Sequence, residues 1–369
     1  MIRTGLVLLL LVPATAHAED DAPPLSIYGF ARLDVLADDS RMSDIDQPRF
    51  VTREPTTGRT DGEFTMTPRL SQVGIGIEQW DVAPHITGEG KLEIDFGGGG
   101  GVNAIRLRHA YAALMYRDKV ELLAGQTWDL ISPLFPSAQN DTQLLDAGNT
   151  GDRRPQLRLS VFPTDHLRVA TAVAVSGVVD QQDLDHVGQP DGMASGSPML
   201  QWLIEYRFRW HGIGRVGVWG HVAREELGDG TRHGSSSVGT HVSVPVTRRV
   251  TVLGEGYFGE NAADIGGGIG QGVDPVTGRR IQGLGGWLEA ATMPTAKVML
   301  ALGVSGDTAR ARDIEVGDRE TNTTGYGVLR YKPRPSIQLG LEYLHWVTTY
   351  KEMGRGVANR FDFHLSCFF

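Results

Sequence analysis

Cysteine is almost missing from this 369-residue chain, which has Cys367 and no other. That excludes an intramolecular disulfide framework and a cysteine-based zinc site; on the apolar face of a terminal strand the thiol reads as a small hydrophobe. Beyond residue 18 there is no uninterrupted apolar run near the roughly 18–20 residues of a membrane-spanning helix, so a helical membrane protein is not expected. Basic residues are outnumbered, 35 Lys and Arg against 44 Asp and Glu, which argues against nucleic acid as a partner. Catalytic patterns are lacking too. The 11 histidines form no HExxH pair, and Ser195 in Gly192-Met193-Ala194-Ser195-Gly196 misses the GxSxG elbow by one position. Gly266 to Gly272 has the composition of a phosphate loop without its Lys-Ser/Thr or βαβ setting, and reads as a mobile surface loop. Asp180, Asp183 and Asp185 lack the spacing of an EF-hand and read as solvated loop acids. No enzyme activity, cofactor or metal is expected.

What is abundant is alternation. In the last thirteen residues Val357, Phe361, Phe363, Leu365, Cys367 and Phe369 share one face, and Ala358, Arg360, Asp362, His364 and Ser366 the other. The chain then stops on an aromatic residue. Such a strand suits a transmembrane β-barrel, with one face against lipid and the other against a watery lumen, and Phe369 is where barrel-assembly machinery would engage it. The start agrees with that compartment. Met1 to Thr4 is short and basic, Gly5 to Val12 apolar, and Ala16-His17-Ala18 a small-residue cleavage site, so residues 1–18 read as a signal peptide and 19–369 as one barrel domain in the outer membrane of a Gram-negative bacterium.

Alternating segments fall near 25–37, 66–80, 85–97, 102–116, 119–128, 155–163, 165–177, 198–210, 213–223, 236–246, 249–259, 282–292, 296–305, 321–332, 335–347 and 357–369. This predicts an all-β, antiparallel barrel of about sixteen strands, the even number that single-chain bacterial barrels have. The connectors alternate strictly between very short and long. Asp81 to Pro84, Arg117-Asp118, Pro163-Thr164, His211-Gly212, Thr247-Arg248, Pro294-Thr295 and Lys332 to Pro335 predict periplasmic turns; the others predict extracellular loops. A soluble sandwich shares the period, but two features favour the membrane. The strands are long, and aromatics (Trp80, Tyr116, Trp128, Trp210, Tyr331, Trp346) gather at their ends as interfacial girdles do. The final strand is expected to close the ring on Ser26 to Val35.

On this register Arg32, Arg106, Arg108, Arg158, Arg168, Arg207 and Arg209 face the lumen, and Arg153 and Arg154 sit where the third long loop re-enters the wall. Arginine keeps its charge and offers a planar fork to carboxylates and phosphates, so a ring of them favours anions. The alternative is that they pair with lumenal Glu93, Asp95, Glu205, Glu255, Glu289 and Glu342. Arg106 and Arg108, opposite Arg158, make the best local case for an anion site, with few acids near them in sequence. Many of the chain's acids, Asp38, Asp39, Asp44, Asp46, Asp180, Asp183 and Asp185 among them, are expected in outer loops. The third loop, Asp129 to Arg154, carries Leu130, Ile131, Leu134, Phe135, Leu144 and Leu145, an apolar content that predicts folding into the pore or packing on a neighbouring subunit. Inside, its Asp129, Asp141, Asp146 and Asp152 would face the basic wall across a constriction.

Tyr28-Gly29-Phe30-Ala31-Arg32-Leu33-Asp34, Leu107-Arg108-His109-Ala110-Tyr111, Ala124-Gly125-Gln126-Thr127-Trp128 and Asp152-Arg153-Arg154-Pro155-Gln156-Leu157-Arg158 resemble segments of the DcaP-like outer-membrane porins. The resemblance implies a homotrimer of sixteen-stranded barrels passing small anionic solutes such as dicarboxylates through an arginine-lined constriction, with Arg32, Arg108, Arg153, Arg154 and Arg158 in the matching segments. That family often has an N-terminal helical extension; here only Glu19 to Pro24 precede the first strand, so a trimer would be held by barrel walls. The expected function is passive diffusion of small polar solutes. An outer-membrane hydrolase on a barrel scaffold and a non-conducting adhesion or structural barrel are the alternatives.

Overall fold

The computed structural model describes residues 24–54, 61–98, 104–138 and 142–369; the expected signal peptide lies outside them. The strands are β1 (Leu25–Asp38), β2 (Glu63–Thr67), β3 (Gln72–Ala83), β4 (Ile86–Gly98), β5 (Ala104–Tyr116), β6 (Val120–Trp128), β7 (Arg153–Thr164), β8 (Leu167–Ala174) and β9 (Met199–Arg209). They continue as β10 (Ile213–Glu226), β11 (Arg232–Pro245), β12 (Val250–Glu260), β13 (Gln282–Thr295), β14 (Val298–Ala309), β15 (Arg319–Arg334), β16 (Ile337–Tyr350) and β17 (Gly354–Phe368). Except for β2 and β3, which both pair with β1, each strand pairs antiparallel with its sequence neighbour, and β17 returns to β1, so the sheet closes and leaves no edge. The closing register runs from Phe30↔Phe368 to Asp38↔Arg360, several residues further along β1 than expected. On its other edge the lower part of β1, Leu25 to Phe30, pairs with β3; the offset between the two edges is the stagger that barrel closure imposes.

Seventeen strands make sixteen staves, because β2 and β3 are one stave broken in two. β1 pairs with β2 at its loop end and with β3 at its turn end. The break falls at Pro68, which has no N–H for the ladder; Ser71 N turns back to Pro68 O, and Arg69 is driven inward to a salt bridge with Asp46 at 2.5 Å. The turns are two to four residues wide, and two sit further along the chain than expected, at 165–166 and 296–297. At Arg117-Asp118 both φ angles are positive, 49° and 55°, the signature of the type I′ turn that matches strand twist.

The outer wall is an apolar belt. Leu302 is 71 % exposed, Leu284 58 % and Phe361 52 %, with Ile204, Val216, Val218, Leu341 and Phe363 exposed between them. A contiguous apolar surface on this scale is not that of a water-soluble monomer. Introducing a charge at the middle of the belt, Leu302→Arg, should destabilise the folded barrel in bilayers by about 2–4 kcal/mol and leave it far less affected in a water-exposed turn. Urea titration of the barrel in lipid vesicles, against a control substitution at Asp118, reads this difference; equal effects would show that the belt does not face lipid.

Not every expected girdle aromatic is on that belt. Tyr116, Trp210 and Tyr331 are exposed, but Trp346 is completely buried on the inner face, its indole N–H donating to Asn322 at 2.6 Å. Trp128 also points inward, stacked under the Arg153 guanidinium at 4.6 Å and against Phe135. Strand-end position does not decide the side; register does.

Candidate functional site

The lumen is divided by three loops that enter from the long-loop end. Loop 3 (residues 129–152) crosses from β6 to the opposite wall, in line with its apolar sequence. Leu130, Ile131, Leu134, Leu144 and Ala147 are buried against inward side chains that include Met199, Leu203, Trp219 and Trp346. Wall polar groups pin its backbone in sequence. Leu130 N donates to Gln201 at 2.8 Å. Ser132 Oγ and Leu134 N donate to Glu255, the second at 2.7 Å. Ser137 N and Oγ donate to Glu289 at 2.7 and 2.6 Å, and Arg330 donates to Ser137 O. Asn322 donates to Asp146 O at 2.7 Å. These partners lie on β9, β12, β13 and β15, so the loop spans the barrel's inner width.

Loop 1 (residues 39–62) also dips inward. Met42 and Val51 are buried in the cluster around Trp346, and Arg49 closes a 2.6 Å salt bridge to Asp146. Two acids expected outside are thereby inside: Asp38 pairs with Arg360 at 2.7 Å and Asp46 with Arg69. Loop 6 (residues 261–281) corrects the expectation of a mobile glycine loop. Residues 261–269 are buried; Asp146 N and Gly151 N of loop 3 donate to Gly266 O and Ile265 O at 2.8 and 2.6 Å. Gly268 N donates to the buried Tyr257 hydroxyl, and Arg319 to Ile269 O. Glycine is required at 266, 268 and 270, where φ is 73°, 64° and 66°.

Arg154 joins these loops. It is completely buried; Nε meets Asp129 at 2.8 Å, Nη1 meets Asp264 at 2.9 Å, and Nη1 and Nη2 also donate to Val175 O and Asp264 O. Asp264 in turn accepts from Gly177 N and Val179 N of loop 4 (residues 175–198) at 2.7 and 2.9 Å. Burial pushes the Asp129 carboxyl up, against the opposing pull of Arg154. Arg154 is therefore a latch for loops 3, 4 and 6 and is withdrawn from the lumen, contrary to its expected place in the pore lining. The same holds for two of the expected constriction acids. Asp129 belongs to this latch, and Asp146 is buried in its pair with Arg49; Asp152, beside Arg153 at 3.5 Å, remains at the opening. Asp141 lies outside the described residues.

Beside the loops, among the described residues, a narrow polar cavity of about 40 Å³ lies against β5 and β6. Arg49, Arg106 and Arg153 line it, with Gln47, Gln143, Asn149, Asp152 and Trp128. Arg106 and Arg108 do not stand without acids as their sequence surroundings suggested. Arg106 grips Asp95 at 2.7 Å, and Arg108 bridges Glu93 and Asp95 at 2.9 and 2.7 Å. A bulge opposite Glu93 and Ile94 brings this about by placing Arg108 and His109, consecutive in sequence, on the inner side together. Arg32 is likewise held by both oxygens of Asp34 on the β1–β17 wall.

Arg158 and Arg168 differ. Arg158 donates to Gln156 Oε1 at 2.7 Å and to the Trp128 carbonyl, and Arg168 to Ser160 Oγ at 3.1 Å; neither closes an ion pair among the described residues. Below them on the same wall Arg207 meets Glu205 at 2.8 Å, Arg215 lies 3.9 Å from it, and His241 3.3 Å. Arg215 was missed from the sequence although its register is plain, the third residue of β10 and alternating with outward Val216 and Val218. Arg209, at the turn end of β9, is exposed.

A closed sixteen-stave barrel with an inward third loop and a charged lumen is the architecture of an outer-membrane porin. Among solved structures, the outer membrane channel DcaP of Acinetobacter baumannii superposes with a TM-score of 0.76 at 16 % identity, over 94 % of this chain and 97 % of that one. The anion-selective porin from Comamonas acidovorans gives 0.62 at 11 % identity, over 94 % and 100 %. OmpF of Salmonella typhi, in complex with daunomycin, gives 0.58 at 14 %, over 95 % and 99 %. No protein-family model and no curated protein matches the sequence.

Proposed function

We propose that this chain is a passive diffusion channel of the Gram-negative outer membrane, of the DcaP-like kind, which assembles as a homotrimer and prefers small anions such as carboxylates. Residues 1–18 would direct it to export, and the exposed Phe369 at the rim would present it to barrel-assembly machinery. The observation that carries the anion preference is the pair Arg158 and Arg168, whose guanidinium groups, among the described residues, make hydrogen bonds to neutral oxygens. Arg158 sits just under Trp128, which lines the opening, so a carboxylate passing Arg49, Arg106 and Arg153 meets a second basic station at once. An anion bound there replaces neutral acceptors with a charge-assisted pair.

Reversal potentials of the folded protein in planar bilayers under a salt gradient test this. Chloride should be favoured. An arginine charge about 6 Å from the ion path in a water-like dielectric is worth roughly 0.7 kcal/mol, so Arg158→Gln with Arg168→Gln should lower the anion-to-cation permeability ratio by up to about tenfold. A cation preference in the unaltered protein would overturn the arginine argument while leaving a porin. Loop 3, pinned across the lumen from Gln201 on β9 to Asn322 on β15, favours one second reading, a barrel that does not conduct at rest. Folded trimers without single-channel steps would select it.

A further inference from the structure

Loop 4 carries three carboxylates that the channel reading does not use. Asp183, Asp185 and Asp191 each place an oxygen within 4.8 Å of the other two. Asp191, the first residue of a single helical turn α1 (Asp191–Ala194), is fully buried. Its Oδ2 accepts from Leu184 N at 3.0 Å, but its Oδ1 has no partner. A buried carboxylate oxygen without a donor is costly and requires an explanation. No lysine or arginine supplies one: none of the three acids forms an ion pair with either among the described residues. Backbone N–H groups hold the other two acids in place. Asp183 accepts from Val187 N and Gly188 N at 3.1 and 2.9 Å, and Asp185 from Val187 N at 3.2 Å and from Gly228 N in loop 5 (residues 227–231).

We infer that Asp183, Asp185 and Asp191 form a calcium site in loop 4, at the extracellular mouth of the barrel. Three hard oxygen donors converging without sulfur or a histidine suit calcium better than zinc, and an irregular, incomplete set suits calcium better than the strict octahedron of magnesium. The spacing supports this once Asp191 is included. Asp183, Asp185, Gly188 and Asp191 fall at positions 1, 3, 6 and 9 of a twelve-residue calcium loop, with Gly188 at φ 84° where such loops turn sharply. Val187 and Ala194 stand at positions 5 and 12, where further ligands are usual, so water completes the shell and affinity is low. A dissociation constant of about 0.1–1 mM, that of extracellular calcium modules, follows. The ion would fix loop 4 to loop 5 through Asp185 and Gly228. Loop 4 is already tied to loop 6 by Gln182, whose amide donates to Val273 O at 2.9 Å.

Equilibrium dialysis of the full-length folded protein, first stripped with a chelator, against radioactive calcium tests the site. One ion per chain should bind, with Asp185→Asn and Asp191→Asn each weakening it at least about tenfold and Asp118→Asn, in a distant turn, leaving it unchanged. Should the loop variants not fold, cleavage of the unaltered barrel by proteinase K is the second readout: added calcium should slow scission within residues 175–198. No saturable binding up to several times the expected constant overturns the inference, and so does binding that the loop variants leave intact or scission that calcium does not slow.

Discussion

Replacing Arg154 by alanine is expected to release the loops from the barrel mouth while leaving the barrel closed. The substitution strands Asp129 and Asp264 in a site with no access to water, and removes the donors to Val175 O and Asp264 O. Breaking a buried pair by deleting one partner costs about 3–5 kcal/mol, because an uncompensated charge stays behind. That cost falls on loop docking, since the staves themselves are held by backbone ladders that Arg154 Nη and Nε do not join. Limited proteolysis of folded protein should therefore show new cleavage in residues 129–152 and 261–281. Heat-modifiable migration, which reports the barrel, should be preserved. Arg154→Lys should rescue little, because one ammonium cannot reach two carboxylates and two carbonyls in the planar fork that arginine offers. Unchanged proteolysis in Arg154→Ala would mean that the three loops are held independently of one another.

The outer face of this protein was legible in its sequence because lipid imposes one rule on every stave. Phe361, Phe363 and Leu365 had to alternate with Arg360, Asp362 and His364 whatever lay inside, and they do. The inner face obeys no such rule. Arg106 and Arg108 looked free of acids because Glu93 and Asp95 lie on the next strand, and a bulge turned Arg108 and His109 to the same side, shifting the outward positions from Ile105 and Leu107 to Leu114 and Tyr116. Loop 3 announced its burial through six apolar residues. Loop 6 concealed its own, since a segment built from Gly266, Gly267, Gly268 and Gly270 buries backbone, with Ile265 and Ile269 among its few large apolar anchors. Arg154 was read as a pore residue because, with Arg153, it sits where the third long loop re-enters the wall; which of the arginines there meets Asp264, 110 positions away, is decided by tertiary packing.

The larger functional change should come from Glu255 and Glu289, two inward carboxylates on adjacent strands that together hold the descending limb of loop 3. Four hydrogen bonds depend on them: Ser132 Oγ and Leu134 N to Glu255, Ser137 N and Oγ to Glu289. A hydrogen bond contributes about 1 kcal/mol net, so Glu255→Ala with Glu289→Ala removes on the order of 4 kcal/mol from docking. Half of that already shifts the balance of docked to undocked loop by roughly thirtyfold. The loop then leaves the lumen's centre, and the opening is no longer confined to the strip beside Arg106 and Trp128. Single-channel conductance should rise several-fold, and the anion preference should fall as the path widens beyond reach of Arg158 and Arg168, where screening within about 10 Å takes over at moderate salt. Neutral sugars of increasing size should pass in liposome-swelling assays at rates that separate the variant from the parent. Glu289→Gln should give a much smaller change, because its amide oxygen still accepts from Ser137. If conductance stays at the parent value in the double variant, loop 3 is held by Leu130, Leu134 and Leu144 against the inner wall and not by the carboxylates, which places control of the opening with apolar packing.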